Sequence, residues 1–227
     1  MKTISKLVAS LCLFAFVHAQ DGPPQVGFIR LVNAVGPGEG NTHLKVDGED
    51  LYAKGYKLGQ RTGGIGLKSG SHKIAVTKDG VETGETSVNV ATGETTTLIG
   101  FAEKVETEDE EEPFKWQARI LKLKQKDAER GYRLTVVSVC ALPEVTFRIA
   151  TEARQSLETK SVKRFNTTTV DLGEARGDVE IRLQGAEEAL CGMSFDEPGS
   201  YVAVFYDDGE GKIRAMTFYD PKFVIAG

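Results

Sequence analysis

The chain has 227 residues, with 28 basic residues against 33 acidic ones and a formal net charge of −5 at pH 7. Acidity without a basic stripe excludes partners read through their phosphates, such as nucleic acid. The 25 glycines and 40% hydrophobic content point to many short turns rather than long apolar spans.

The first residues read MKTISKLVASLCLFAFVHAQ. Lys2 and Lys6 form a positive start. Leu7 to Val17 is an apolar run shorter than the roughly 20 residues that a bilayer span needs. Val17 and Ala19 occupy the −3 and −1 positions of a cleavage site before Gln20. This pattern predicts a secretory signal peptide over 1–19 and an extracytoplasmic protein, periplasmic or secreted. No later segment is apolar enough to span a bilayer. Leu11, in front of Cys12, is not the small residue that lipoprotein processing requires. Cleavage would leave 26 basic and 33 acidic residues, a net charge of −7, with Cys140 and Cys191 as the remaining cysteines.

From residue 24 onward the periodicity is that of strands. Ile29–Val35, Leu44–Val46, Ile74–Val76, Val88–Val90, Val179–Leu183 and Tyr201–Phe205 carry β-branched or aromatic residues at strand spacing. Turn signals separate them: Asp47-Gly48, Lys78-Asp79-Gly80, Thr92-Gly93, Pro198-Gly199 and Asp208-Gly209. The pattern also occurs twice. IRLVNAV (29–35), THLKVDG (42–48), GLKSGSHKIAVTKDG (66–80) and ATGETTTLIGF (91–101) are followed by LTVVSVC (134–140), VTFRIAT (145–151), DLGEARGDVEIRLQG (171–185) and DEPGSYVAVFY (196–206). Ile29 matches Leu134, Ile74 matches Ile181, and Gly93 matches Gly199. The predicted fold is all-β: two tandem small antiparallel β-sandwich domains, over 24–124 and 131–222, joined by a linker at 125–130.

The acidic run ETEDEEEP begins at Glu106, almost midway along the chain. The repeat places it inside the first domain, as an enlarged counterpart of the hairpin turn DDGEGK at 207–212. Glu106, Glu108, Asp109, Glu110, Glu111 and Glu112 form a candidate partner-contact loop, 106–112. A calcium loop would need short Asp or Asn side chains and a Gly in register, which the run lacks. The first reading is a solvated loop, and the next is attraction to a basic partner. Lys115, Arg119, Lys122, Lys124 and Lys126 follow directly, where they can neutralise it. Residues 114–130 read either as a strand, by the register of the repeat, or as a helix, by composition.

The residues at 29–80 carry a resemblance. FIRLVNAV, LKVDG and GYKLGQRTGGIGLKSGSHKIAVTKDG resemble a bacterial secreted β-sandwich family of unknown function. Its members open on a strand ending in Asn-Ala or His-Ala and continue through Val-Asp-Gly. The layout of signal peptide plus two such units is also similar to periplasmic accessory proteins of alginate O-acetylation. That second resemblance implies a non-catalytic partner of a membrane acyltransferase complex.

Motifs for chemistry are weak. GQRTGGIGLKSG (59–70) lacks the Gly-Lys step of a phosphate loop. His43 and His72 stand at strand starts without a second ligand at metal spacing, and there is no Gly-x-Ser-x-Gly elbow. No catalytic residue, metal or cofactor is expected. Cys140 and Cys191 are a candidate disulfide or two buried thiols. Trp116 and Tyr206 are the candidate aromatic contacts, since one of Phe205 and Tyr206 should face the core and the other solvent. These features lead to the expectation of a non-enzymatic structural or interaction module of the cell envelope or matrix, whose partner is an envelope protein or polysaccharide. The alternative is an accessory subunit of exopolysaccharide O-acetylation.

Overall fold

β-Branched residues alternating with polar ones produce strands in both halves of the chain. The structure, a computed structural model, describes residues 25–124, 131–151, 154–174, 177–221 and 223. The expected leader 1–19 and linker 125–130 lie outside the described residues. The first half contains β1 (Val26–Ala34), β2 (Glu39–Val46), β3 (Glu49–Asp50), β4 (Ile65–Lys68), β5 (Gly70–Asp79), β6 (Val81–Val90), β7 (Thr95–Glu106) and β8 (Phe114–Lys124). The second contains β9 (Tyr132–Ser138), β10 (Glu144–Thr151), β11 (Arg154–Lys163), β12 (Thr167–Gly173), β13 (Gly177–Leu183), β14 (Cys191–Phe195), β15 (Gly199–Asp207) and β16 (Ile213–Tyr219). The described residues are all-β and contain no helix. The helical reading of 114–130 is therefore replaced by β8 as far as Lys124.

The first half is one hydrogen-bonded sheet in the order β3-β2-β5-β6-β8-β7-β1-β4, and the second forms two sheets, β11-β10-β13-β14 and β12-β9-β15-β16. In the second half the apolar cluster draws on both sheets, with Phe147 and Ile181 from one and Leu134, Ala203 and Phe205 from the other. In the first half Leu44, Ile74 and Val76 meet Ile29, Leu31 and Leu98 in the same way. The eight-stranded sheet therefore folds over its own core, and its two parts are joined at the parallel pair Glu82↔Gln117.

The two halves share a pairing pattern in their ladders. Ile29 faces Thr96 and Leu134 faces Tyr201, 67 residues later in each case. Val46 faces Ile74, and Ile149 faces Ile181. One expectation is corrected here. The sheets are not purely antiparallel, because β1 runs parallel to β7 and β9 runs parallel to β15. Alternation in sequence carries no strand direction, but burial on both faces does mark such central strands. Residues 29–34 are buried without a break.

That double burial has a definite cause. One face of β1 and β7 packs on the first core. The other presents Val32, Ala34, Ile99 and Phe101 to Val137, Val139, Val202, Val204, Tyr206 and Phe218 of the second half. The two halves thus share a third apolar layer. Burying each Val, Ile or Phe side chain contributes roughly 1.5–3 kcal/mol, so the layer holds the halves together strongly.

An ion pair crosses the same boundary. The Arg30 guanidinium, on β1, donates to the Asp220 carboxylate, just past β16, and both side chains are almost fully buried. Phe218 and Phe223 lie 5.3 and 5.4 Å from the guanidinium carbon, at cation–π range. Phe223 also meets Phe28, with ring centroids 5.0 Å apart. Asp220 and Phe223, beyond β16, therefore both lie against the first half.

Removing one partner of a buried pair leaves the other charged and unsolvated. Asp220→Ala should cost about 3–5 kcal/mol in urea unfolding. The double replacement Arg30→Met with Asp220→Leu should recover most of that loss. A double mutant as unstable as Asp220→Ala would show that the charge is not what the site requires.

Candidate functional site

The site forms where β1 stops and β7 does not. β1 ends because its backbone groups find side-chain partners. The Val35 amide donates to Asn33 Oδ1 (3.0 Å), and Lys78 Nζ donates to the carbonyls of Val35 (2.9 Å) and Gly36 (3.3 Å). Burial pulls the Lys78 ammonium below its usual range. Gly36 is needed here for space, since a Cβ would lie 2.5 Å from the Asp207 carbonyl oxygen.

Beyond this point a cleft of about 520 Å³ opens between the halves. Phe101, Glu103, Lys104 and Trp116 line it from β7 and β8. Leu142, Arg164, Asp207 and Ile213 line it from the second half. An apolar hollow between two units with a few converging polar groups is the usual form of a binding site. Glu103 links its walls, taking Arg164 Nη2 at 3.1 Å from the second half and Arg119 Nε at 3.4 Å from β8. Arg164 Nε is buried and has no hydrogen-bond partner among the described residues.

The Arg164 turn is strained. Phe165 has φ of 61°, which a bulky residue rarely adopts. Its amide donates to Ser138 O (2.7 Å), and its ring packs on Phe101 with centroids 5.2 Å apart. The guanidinium of Arg164 lies 4.3 Å from the Phe165 centroid. These contacts hold the turn against its strain, and the pairing with Glu103 keeps Arg164 on the cleft wall.

The acidic run closes the β7–β8 hairpin above this cleft. Glu106 is the last residue of β7 and faces Phe114. The loop is ordered through its backbone: Thr107 N–H donates to Pro113 O at 3.1 Å, and Glu111 N–H donates to Asp109 Oδ1 at 2.9 Å. Glu106, Glu108, Asp109, Glu110, Glu111 and Glu112 form no ion pair among the described residues. The expected neutralisation by the following cations is corrected for Lys115, Arg119 and Lys122, while Lys126 lies outside the described residues. Lys115 pairs with Glu82 (2.7 Å), Arg119 pairs with Glu103, and Lys122 donates to Ser87 O (2.6 Å). Their position along β8 directs these side chains to neighbouring strands rather than to the tip. A second hollow of about 530 Å³ lies at the root of the loop, between Lys104, Glu106, Thr107, Pro113 and Phe114. Lys104 Nζ sits 3.3 Å from the Phe114 ring centroid.

The other expected residues separate. Trp116 is half-buried on the cleft wall. Tyr206 does not face solvent. Phe205 enters the second core and Tyr206 enters the shared layer, because both faces of β15 are covered. Cys140 lies two residues beyond β9, Cys191 begins β14, and both are free thiols. The structure does not adopt the disulfide alternative. Burial pushes both thiols up to about 12. His43 and His72 each meet one carboxylate, Asp50 and Asp47, at 2.7 Å. Among the described residues no group of three or more His, Cys, Asp or Glu side chains could hold a metal ion. The Arg164–Phe165 turn escaped the reading of the sequence, since nothing local marks a left-handed Phe. No protein-family model matches the chain, and no curated protein matches it.

Two measurements follow from these environments. In native protein at pH 8, Cys140 and Cys191 should react only slowly with a thiol reagent, and both should react quickly in denaturant. Absence of reaction in denaturant without reductant would reveal a bridge. Both ring nitrogens of His72 face acceptors, Asp47 Oδ2 and Lys68 O. The hydrogen bond to Asp47, then that to Lys68, raises His72 above its usual 6.5. The bond with His72, then the Lys73 amide, lowers Asp47 below 3.8. Stabilisation from His72 is complete below 6.5 and is lost as pH rises through its higher folded value. That from Asp47 is complete above 3.8 and is lost as pH falls through its lower folded value. An NMR titration should place the His72 midpoint above 6.5, and Asp47→Asn should bring it down. An unchanged midpoint in the variant would remove Asp47 as the cause.

Proposed function

We propose that the protein is an extracytoplasmic, non-enzymatic interaction module of the cell envelope or matrix, built from two tandem β-sandwiches, and that it acts through the cleft between them. The observation that carries this reading is the composition of the cleft region. Five large hydrophobic side chains are exposed among the described residues: Leu51, Tyr52, Phe114, Leu142 and Phe165. Three of them gather here. Leu142 lines the cleft, Phe165 packs on its Phe101 wall, and Phe114 stands at the root of the acidic loop. Clustered apolar exposure with a polar rim is typical of a contact surface. The sandwich reading is supported by the apolar cluster between the two sheets of the second half and by the matching ladders of the first.

A second reading, an accessory subunit of exopolysaccharide O-acetylation, is favoured by Trp116. An aromatic face beside carboxylate and guanidinium groups is the combination that receives a pyranose ring.

The test uses the full chain expressed in its native host with a photo-crosslinking residue at Leu142 or, as control, at Tyr52. The mature protein should begin at Gln20 and fractionate outside the cytoplasm. Leu142 should crosslink to an envelope protein or polysaccharide, and Tyr52 should not. Retention of the uncut chain in the cytoplasm, or equal crosslinking from both positions, would sink the reading.

A further inference from the structure

The two hairpins that the repeat relates differ in length, and the difference leaves a strand edge bare. β15 stops at Asp207, whose carboxylate takes the Ala141 N–H at 2.6 Å. Its counterpart β7 continues to Glu106. β1 accompanies β7 only as far as the pair Ala34↔Phe101. From Ala102 to Glu106, β7 has β8 on one side and no described strand on the other. Ala102, Glu103 and Lys104 line the cleft on this vacant side.

Unpaired edges are usually blunted by a Lys, a Pro or a bulge. Here the register with β8 is unbroken, and the one Lys of the overhang is laid over the Phe114 ring. The ionisable side chains of the loop beyond the edge, 106–112, are all acidic. The carboxylates at 106–112 have no cation paired to them among the described residues, because Lys115 and Arg119 are engaged with Glu82 and Glu103.

We propose that the overhang Ala102–Glu106 is a strand-addition site for an extended, basic segment of a partner protein. The segment pairs its backbone with the free edge of β7. Its apolar side chains enter the cleft beside Trp116 and Leu142, and its Lys or Arg side chains meet the carboxylates of the loop. Backbone pairing supplies affinity, alternate side chains supply specificity, and the acidic tip speeds encounter and selects against acidic partners. The inference rests on the proposed role of the cleft and names its occupant.

The probe is an amidated peptide of four Lys-Val repeats, titrated into the isotopically labelled full-length mature protein. Amide shifts should centre on Ala102–Glu106, and affinity should fall with added salt. Three changes should each weaken binding by about tenfold or more: replacing Lys by Glu in the peptide, N-methylating its alternate backbone amides, and combining Glu108→Gln, Glu110→Gln, Glu111→Gln and Glu112→Gln in the loop. The N-methylated peptide leaves the protein untouched, so its result does not depend on a variant folding. Equal binding of that peptide, shifts confined to the loop tip, or no binding would each overturn the inference. Should crosslinking from Leu142 succeed while the peptide fails, the cleft would keep its role and lose this occupant. Capture of polysaccharide alone would overturn the inference in the same way.

Discussion

The shared apolar layer is the constraint on which the rest of the molecule depends. Two parallel pairs, β1–β7 and β9–β15, each serve two cores at once. Neither half can expose the second face of its central strands to water without losing several kcal/mol of burial. The boundary of each half is therefore defined by the other. The buried Arg30–Asp220 pair adds geometry to this adhesion. A layer of Val, Ile and Phe is tolerant of sliding, but a guanidinium held between Phe218 and Phe223 is not. Desolvating the pair offsets much of its attraction, so its main effect is on register rather than on net stability.

Fixing the halves against one another is what allows a cleft to exist between them. Its walls come from strand ends and turns that belong to different repeats, and Glu103 with Arg164 ties them across. Within that frame the repeats diverge where the frame imposes least. The central parallel ladders match rung for rung, whereas one hairpin ends at a tight Asp-Gly turn and the other projects further and carries the carboxylates. A rigid scaffold with one elaborated loop is the common arrangement for a surface that meets a partner.

Much of the fold was legible in the residues. Strand positions and the placing of the acidic run between two paired strands followed from alternation, turn chemistry and the internal similarity of the sequence. FIRLVNAV also carried its double burial openly, as a nearly continuous apolar run, although only the other half explains it. What alternation could not carry was strand direction and the occupant of each strand's second face. Tyr206 illustrates the limit. In an isolated sandwich it would meet solvent, yet here it meets Phe101 and Leu123 of the other repeat within one cluster. The cleft was legible only in fragments: Trp116 and the acidic loop were visible, while Leu142, Arg164 and Phe165 converge through contacts distant in sequence. Lys115, Arg119 and Lys122 were misassigned for a related reason. Nearness along the chain suggested the loop, but strand geometry sends them sideways.

The parallel pairs also set an order of assembly. β1 has no central partner until residues 95–101 exist, and its outer face waits longer, for residues 137–139 and 202–206. Hairpins such as β5–β6, β7–β8 and β15–β16 close over short distances and form early, whereas the pairings that define the core are long-range and slow. On a chain emerging from its N-terminus, FIRLVNAV gains β4 and then β7 as neighbours in the first half of synthesis, but its outer apolar face stays uncovered until the second half is made, open to misassembly or to a chaperone. A chain of this topology completes its fold only when nearly all of it is present, because the outer face of its first strand is covered by residues as late as 202–206 and 218.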